Sequence, residues 1–217
     1  MRFLITAGPT REPLDPVRYL SNRSSGKMGY AIAAAALEEK HEVILVSGPV
    51  ALAAPSGAEL VRVTTGDEMF AAAAARFVHC DVFVMCAAVC DYKPVHYAPE
   101  KMKKEGTRFS LELEPTRDIL ANLTSRPHDC FVVGFAAETE ALETNAQRKL
   151  AEKNCDLLVA NDVSRADVGM DSDDNELLIF FRNGERTNLP REKKTKLARA
   201  LLKIILDTRE KCLTKRT

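Results

Sequence analysis

Short apolar runs alternate with helix-forming segments along most of the chain, and this alternation limits the folds that it can adopt. The apolar runs end in glycine, proline or polar residues, as buried strands do. The runs predicted to form parallel strands are residues 3–6, 42–46, 60–63, 81–86, 131–135 and 157–160. A strand, a helix and a following parallel strand form a right-handed crossover, and helices then cover both faces of the sheet. The sequence therefore predicts a Rossmann-like, doubly wound α/β fold with a mostly parallel sheet flanked by helices.

Helices are predicted between these runs, at residues 27–40, 65–78, 116–123 and 138–153. Thr65 and Glu68 have the spacing of a capping box, which fixes the start of the second helix. Residues 109–113 alternate apolar and polar side chains, and this pattern predicts a half-exposed strand.

The last part of the chain departs from the alternation. Two strand-like runs, residues 177–181 and 185–189, flank the Arg-Asn-Gly turn at 182–184, and Asn-Gly is typical of a tight hairpin. A closing helix is predicted from about Arg191, with an apolar face formed by Leu197, Leu201, Ile204 and Ile205. The sequence has no internal repeat and no linker composition. It therefore predicts a single domain over residues 1–217, with a C-terminal antiparallel hairpin that extends the sheet.

The composition excludes several classes of protein. Lys+Arg and Asp+Glu number 31 each in 217 residues, so no basic field favours nucleic acid. Trp is absent, which disfavours a base-stacking platform. No apolar run is long enough to span a membrane, and the opening MRFLIT leaves no room for a signal peptide. The six cysteines have neither zinc-finger nor Cys-x-x-Cys spacing, so we expect reduced thiols and a cytoplasmic protein.

The loop between the first strand and the first helix, residues 7–29, is the strongest candidate for ligand binding. In sheets of this kind ligands bind at the carboxyl ends of the strands, and βα loops usually have only about 2–6 residues. Gly8 allows a sharp turn after the strand, and the first helix begins at Ser24, Ser25, Gly26 and Lys27. A helix N-terminus favours phosphate, so we predict nucleotide-phosphate binding here. The residues match neither a Walker A loop nor G-x-G-x-x-G, and a long loop with a well-capped helix remains an alternative.

Three further clusters follow predicted strand ends. In residues 87–104, Asp91 can accept hydrogen bonds from ribose hydroxyls, and three lysines can neutralise a polyphosphate from a flap; these are Lys101, Lys103 and Lys104. Taken alone, that tract fits a solvated charge run better. In residues 134–139, Phe135 can contact a base, although tight helix–strand packing explains the small residues equally well. Residues 160–175 are acidic, do not match an EF-hand loop, and fit a surface turn.

Several segments occur in an order that is typical of one family. ITAGPTREPLDPVRYLSNRSSGKMG, AAVCDYKP, EKMKK, GFAAET, KLAEK and VANDVS follow one another along the chain. The series closely resembles the phosphopantothenate–cysteine ligase family, either as a free-standing form or as an isolated synthetase domain. The resemblance implies a ligase that joins 4′-phosphopantothenate to L-cysteine in coenzyme A biosynthesis. It also implies CTP as a substrate, an acyl-cytidylate intermediate, Mg²⁺ and a homodimer. Members from eukaryotes use ATP, so the choice between CTP and ATP stays open.

The resemblance also assigns roles to individual residues. Asn22 matches the catalytic Asn that binds the acyl-nucleotide intermediate, with Arg18 in the same motif, and Lys101 matches a flap lysine that reaches the phosphates. Further nucleotide contacts are implied at Ala87, Asp91, Asp118, Ile119, Phe135, Lys149 and Lys153. Thr116-Arg117 replaces a common Asn-Pro at the base-binding segment, which puts the base contacts in doubt. The resemblance identifies no metal ligands.

Two other functions remain open on the residues. A nicotinamide-dependent oxidoreductase shares the fold class, but it would need G-x-G-x-x-G after the first strand and an acidic residue after the second. Ser47-Gly48-Pro49 follows the second strand, where that acidic residue would be needed. A non-catalytic nucleotide-binding module differs from the enzyme only in that it would not need Asn22 and Lys101 together, and both are present.

Overall fold

A mixed sheet of eight strands forms the centre of the molecule in the computed structural model, which describes residues 1–104, 106, 108–138, 140–162 and 172–214. The strands are β1 (Arg2–Ala7), β2 (Arg11–Pro13), β3 (Tyr19–Ser21), β4 (Glu42–Ser47), β5 (Glu59–Arg62), β6 (Val82–Met85), β7 (Tyr92–Pro94), β8 (Leu113–Pro115), β9 (Phe131–Glu138), β10 (Leu157–Asp162), β11 (Asp174–Phe181) and β12 (Arg186–Lys193). The helices are α1 (Lys27–Glu38), α2 (Gly66–Phe77), α3 (Ile119–Thr124), α4 (Leu142–Glu152) and α5 (Lys194–Thr214).

The strand order of the sheet is β12-β11-β10-β9-β6-β1-β4-β5. Pairing is parallel from β5 through β10, and it becomes antiparallel at β11 and β12. The predicted Rossmann-like fold with a C-terminal antiparallel hairpin is thus confirmed. After β1 the chain forms β4 and β5 on one side of that strand, and it then returns to form β6 on the other side. The switch point of the sheet therefore lies between β1 and β6.

Side chains of β1 alternate between two apolar layers, one on each face of the sheet. Phe3 and Ile5 pack with residues of α1 and α5, whereas Leu4 packs with residues of α2, α3 and α4, and all three side chains are fully buried. Full burial of each such side chain stabilises the fold by about 1.5–3 kcal/mol. Helices therefore cover both faces, as the crossover rule requires.

Helix α2 begins with the predicted capping box. The Thr65 side chain accepts a hydrogen bond from the Glu68 amide, and the Glu68 carboxylate accepts one from the Thr65 amide. Helix α1 is held against β1 by Gly29, because a Cβ atom there would lie 2.6 Å from the Cβ of Ala7. The first turn of α1 is consequently fixed at the carboxyl end of β1.

Helix α5 runs back from the carboxyl edge of the parallel strands to their amino edge. It begins at Lys194, whose amide donates to the carbonyl of Asp173. Near its other end, Arg209 contacts Asp81 and the Met1 sulfur atom, and the Met1 carbonyl accepts a hydrogen bond from Glu42. The N-terminal residue and the end of α5 therefore lie together at the amino edge.

Two small hairpins outside the main sheet were not predicted. β2 pairs with β3 inside the loop after β1, and β7 pairs with β8. The predicted strand at 109–113 is wrong, because only Leu113, Glu114 and Pro115 pair with β7. Phe109 is 69% exposed, so the alternating pattern there does not reflect a sheet with one buried face.

Three predicted helix starts also differ from the structure. α3 begins at Ile119 rather than Thr116, because the Thr116 hydroxyl and amide bond to carbonyls of the β6–β7 loop. β9 continues to Glu138, paired with Asp162 of β10, so α4 begins later than the predicted residue 138. β12 continues to Lys193, paired with Asp174, so α5 begins after Arg191.

Among the described residues, no helix has the length and apolar character needed to cross a membrane.

Candidate functional site

A cleft with two lobes lies at the carboxyl edge of the parallel strands, beside the switch point. The first lobe has a volume of about 390 Å³ and the second about 330 Å³. Both lobes are lined by Ala87, Val89, Asp91, Phe135 and Lys149. These residues follow β6 or belong to β9 and α4, so the strand ends of the parallel sheet build the wall that the lobes share.

The loops after β1 and β6 are joined backbone to backbone beside the cleft. The Ala88 amide donates to the Gly8 carbonyl at 2.9 Å, and the Thr10 amide donates to the Ala88 carbonyl at 3.1 Å. Gly8 has a φ of 76°, and a Cβ atom there would lie 2.8 Å from Val50. Gly8 does not line the described cleft, and its place is structural: it lets the chain turn sharply under the two loops.

Asn22 lines the first lobe. Its side-chain amide donates a 3.0 Å hydrogen bond to the carbonyl of Ala88. This contact orients the side chain from the loop after β1 towards the loop after β6. A neutral amide at this position can bind an acyl or phosphoryl oxygen and offers no competing nucleophile.

The first turn of α1 forms the floor of the same lobe. Gly26 is the N-cap, with a φ of 77°, and it has no side-chain cap; the first turn contains no acidic residue. The Gly26 amide donates to the Ser24 hydroxyl at 3.3 Å, and Gly29 adds a surface without a side chain. Backbone N–H groups at a helix start carry partial positive charge, which suits a phosphate. Ser25 does not line either lobe.

Three lysines stand around the first lobe. Lys27 pairs with Asp173 at 2.7 Å, and Lys149 pairs with Glu138 at 2.7 Å. Lys194 is only 6% exposed, and its amine donates to the carbonyl of Ser172 at 2.6 Å. All three lysines are thus held in place by partners, and the carboxylates of Asp173 and Glu138 offset the charge of Lys27 and Lys149.

The sequence analysis missed Lys194 and Asn175, and it gave Asn161 no role, although all three line the first lobe. Asn175 lies at the start of β11, an antiparallel strand, and Lys194 is the first residue of α5. The amino end of an antiparallel strand reaches the edge where parallel strands end. The sequence analysis included Asn175 in the segment 160–175 but assigned that segment to a surface turn, so it gave Asn175 no role.

Cys86 also lines the first lobe, beside Lys194. Burial raises the pKa of its thiol to about 12, while the Lys194 charge acts in the opposite direction. The thiol is therefore protonated at neutral pH and is not a nucleophile there.

The second lobe is built around the start of α3. The Asp118 carboxylate accepts a 2.9 Å hydrogen bond from the Ala121 amide, which caps the helix, and it forms an ion pair with Lys153. Ile119 is 2% exposed and packs in the apolar layer that contains Leu4. The guanidinium of Arg117 lies 4.2 Å from the ring centre of Phe70. All seven residues implied as nucleotide contacts line this lobe: Ala87, Asp91, Asp118, Ile119, Phe135, Lys149 and Lys153.

Arg18 and Lys101 do not line either lobe. Arg18 pairs with Asp15, and its Nη2 atom also donates to the carbonyl of Met102 at 2.7 Å. Lys101 is exposed and directly precedes Met102. The structure therefore places Lys101 next to the residue that Arg18 contacts, and it places neither side chain in the wall of the cleft.

A metal centre made only of protein groups is absent from the part of the chain that the structure describes. Within those residues, no three His, Cys, Asp or Glu side chains are close enough to hold a metal ion. The acidic cluster proposed from residues 160–175 lies partly outside the described residues, including Gly169 and Asp171. Of its other members, Asp173 pairs with Lys27 and Asp174 with Arg191.

Comparison with known proteins shows that the chain matches a known domain family. A family model described as the DNA/pantothenate metabolism flavoprotein C-terminal domain matches residues 1–208. The Coenzyme A biosynthesis bifunctional protein CoaBC of Escherichia coli is 48% identical over 206 residues, which are 93% of this chain and 50% of that protein. The chain spans about half the length of the curated relatives it matches.

Solved structures match over nearly the whole chain. A crystal structure of the C-terminal domain of CoaBC is 42% identical, with a TM-score of 0.80, and the match covers 94% of this chain and 93% of that one. A Cab2 variant in complex with phosphopantothenate-cysteine has a TM-score of 0.78 at 18% identity, over 100% of this chain and 89% of that one. The second likeness bears on the fold alone.

Proposed function

The chain belongs to the DNA/pantothenate metabolism flavoprotein C-terminal domain family, and we propose that it is a phosphopantothenate–cysteine ligase of coenzyme A biosynthesis. Its substrates are 4′-phosphopantothenate, L-cysteine and a nucleoside triphosphate. The proposal agrees with the resemblance carried by the Asn22 motif and with the relatives, which bear the name of a coenzyme A biosynthesis protein.

The observation that carries the proposal is the meeting of three features in one cleft. Asn22 is held by Ala88 at the wall, the uncapped start of α1 forms the floor, and Lys149 stands between the two lobes. A neutral amide, the backbone N–H groups of a helix start and lysines are the groups needed to hold a triphosphate beside a carboxylate.

The reaction proceeds in two balanced steps. A carboxylate oxygen of phosphopantothenate attacks the α-phosphorus of the nucleotide, which forms an acyl-nucleotide and expels pyrophosphate. The cysteine amine then attacks the acyl carbon and forms the amide; the nucleoside monophosphate leaves, and the amine releases a proton. Asn22 binds the acyl-nucleotide, while the α1 start and the lysines offset the negative charge that develops at phosphorus. Enclosure of the anhydride protects it from water.

We take CTP as the nucleotide, with Phe135 and the α3 start around its base and Asp91 at its ribose. The paired Asp118 and Lys153 orient the segment that replaces the family Asn-Pro. Arg117 is held over Phe70 beside that segment, so its guanidinium is a fixed feature of the second lobe. The choice between CTP and ATP depends on these residues.

Mg²⁺ is the metal that fits this donor set. Mg²⁺ is usually held by one or two carboxylates, water and substrate phosphates rather than by a cage of protein ligands. Asp91, the carboxylate that lines both lobes, is assigned to the ribose, so the ion would be held mainly by the substrate phosphates and water. Bound with the triphosphate, the ion would supply charge neutralisation at the phosphates.

A nucleotide panel tests the proposal. CTP, ATP, UTP and GTP are each incubated with phosphopantothenate and cysteine, and pyrophosphate and product mass are measured. We expect phosphopantothenoylcysteine with CTP, and pyrophosphate release only when phosphopantothenate is present. Equal pyrophosphate release without phosphopantothenate would count against the ligase, and binding of nucleotide without any product would favour a non-catalytic module.

The rival oxidoreductase is disfavoured by the end of β4. Ser47 and Gly48 occupy the place where a dinucleotide-binding fold carries its ribose-binding acid. A Cβ atom at Gly48 would lie 1.8 Å from the Pro9 carbonyl oxygen, so the loop after β1 covers that position. No hydride-transfer function is therefore proposed.

We further propose that the protein acts as a cytoplasmic homodimer. The two small hairpins expose large apolar side chains, among them Tyr19 at 47%, Tyr92 at 55% and Tyr97 at 53%. Burial of these side chains against a second copy would remove them from water. Light scattering after gel filtration measures the mass, and a monomer at micromolar concentration would contradict the dimer.

A further inference from the structure

Asp15 is the most densely bonded side chain in the loop after β1, although it lies outside the cleft. Its side chain is fully buried. The Oδ1 atom accepts hydrogen bonds from the amides of Val17 and Arg18, each at 2.8 Å. The Oδ2 atom accepts from the Arg18 guanidinium at 2.5 and 2.9 Å and from the Met102 amide at 3.1 Å. The sequence analysis assigned this residue no role.

Met102 is held through both of its backbone polar groups. Its amide donates to Asp15, and its carbonyl accepts the 2.7 Å hydrogen bond from Arg18. Four residues earlier, the Ala98 amide donates to the Leu14 carbonyl at 2.9 Å. Residues 98–102, which we call the lysine segment, are thereby attached at both ends to the loop after β1.

These contacts determine where Lys101 stands. The N–H group of Met102 belongs to the peptide plane between Lys101 and Met102. Its hydrogen bond to the Asp15 carboxylate therefore sets the orientation of that plane. The orientation of the Lys101 backbone sets the direction of its Cα–Cβ bond, and therefore the region that its amine can reach. Lys101 itself is exposed, so no packing around its side chain replaces this control.

We propose that Asp15 is a positioning residue that places Lys101 for contact with the phosphates of the nucleotide. Asp15 acts through Met102 and does not touch substrate. The consequence for catalysis rests on the proposed ligase function, whereas the attachment of the lysine segment does not. Arg18 has a part in the same contact, because its guanidinium holds one face of the carboxylate and the Met102 carbonyl at once.

The charge and shape of aspartate are both required for this role. Each carboxylate oxygen faces N–H donors, and a carboxylate is an acceptor at both oxygens. Asparagine has the same shape, but in either orientation its NH₂ group would face N–H donors. The Arg18 guanidinium beside Asp15 holds the pKa of that carboxyl well below its usual range, so the carboxylate is charged at neutral pH.

The first measurement is amide hydrogen exchange by mass spectrometry on the full chain without ligands. We expect Asp15→Asn to speed exchange of the Ala98 and Met102 amides at least about tenfold while exchange in β1 is unchanged. Asp207→Asn, at an exposed position of α5, is the matched control. Unchanged exchange at Met102 in folded Asp15→Asn protein would overturn the proposal.

The second measurement separates positioning of Lys101 from a general structural role. In a cycle of Asp15→Asn, Lys101→Ala and the double variant, we expect Asp15→Asn to raise the KM for CTP about tenfold and to leave the KM for phosphopantothenate unchanged. The Asp15→Asn effect should vanish in the Lys101→Ala background. An equal effect in both backgrounds would overturn the proposal.

Two further arms keep the outcomes distinct. If the wild-type protein forms no product, the ligase function is wrong. The affinity for CTP of the same three variants is then measured by calorimetry in place of the KM. If Asp15→Asn does not fold, Met102→Pro removes the donated N–H and leaves the Asp15–Arg18 pair in place. Wild-type CTP affinity in Met102→Pro would then overturn the positioning role.

Discussion

The Asn22 side chain donates a hydrogen bond to the Ala88 carbonyl and thereby joins the loops that follow β1 and β6. β1 and β6 are neighbours at the switch point of the sheet, so this contact lies at the switch point, beside the cleft. Asn22 therefore combines a structural contact with a position on the surface that faces substrate, and a change at Asn22 tests both.

Replacement of Asn22 by Asp should slow amide formation severely, with little effect on the fold. Aspartate cannot donate to Ala88, and its charge would oppose a substrate carboxylate or phosphate. We expect kcat to fall by about 10²-fold or more, the range found when one oxyanion donor is removed. Product formation by mass spectrometry and the unfolding midpoint are compared with those of Asn188→Asp, on the exposed face of β12. Wild-type turnover would remove Asn22 from the mechanism.

Replacement of Lys149 by Gln should weaken nucleotide binding selectively. Lys149 lines both lobes and is oriented by Glu138. A hydrogen bond to a charged group contributes about 1.5–3 kcal/mol, which corresponds to a rise in the KM for CTP of roughly 10- to 100-fold. Lys203→Gln, on the exposed side of α5, is the control. A rise confined to the KM for phosphopantothenate would place Lys149 at the other substrate.

Replacement of Gly29 by Ala should displace α1 from β1. The added Cβ atom would meet Ala7 at 2.6 Å, so the helix must shift or the strand must yield. Overpacking of this kind costs about 1–3 kcal/mol, measured as the free energy of unfolding in urea. The KM for the nucleotide should rise as well, because the helix start forms the cleft floor. An unchanged unfolding midpoint would contradict the close approach.

The stability of the protein should decline as the pH falls below about 6.5, the ordinary pKa of histidine. Burial lowers the pKa of His41, which stacks on Phe3, and the nearby terminal amine acts in the same direction, whereas Glu39 and Asp81 raise it. The unfolded chain then binds a proton that the folded chain does not, so protonation favours unfolding.

Substitution of His41 isolates this contribution. The difference in unfolding free energy between wild type and His41→Gln should change with pH below about 6.5, with a slope of at most about 1.4 kcal/mol per pH unit. His96→Gln, at an exposed histidine, serves as the comparison. A difference that stays constant from pH 8 to pH 5 would show that His41 does not carry the dependence.

The fold class and the edge of the sheet at which the cleft lies were predictable, because both follow from local patterns and general rules of sheet topology. Apolar runs such as 131–135 predict buried strands, and crossover handedness then brings their carboxyl ends to one edge. The capping box at Thr65 and Glu68 was also predictable from the sequence, because its two residues are only three positions apart. The positions of the implied site residues depended on the family resemblance instead.

What escaped prediction depends on contacts between distant segments. The β7–β8 hairpin pairs three residues on each side, too few to produce a periodic pattern. Asp15 and Met102 are 87 residues apart, and nothing local to either residue indicates the other. Asn175 reaches the cleft because β11 is antiparallel, a consequence of sheet topology rather than of the surrounding sequence.

Because α5 runs back to the amino edge of the sheet, its end and residue 1 lie at the edge opposite the cleft. Residue 1 and the end of α5 lie at the amino edge of the sheet, and the six residues of β1 separate that edge from the cleft by about 20 Å. A sensor surface, an affinity tag or a fused reporter can therefore be tethered at residue 1 or beyond α5 with the cleft facing bulk solvent. Immobilised protein should retain the nucleotide affinity that it has in solution.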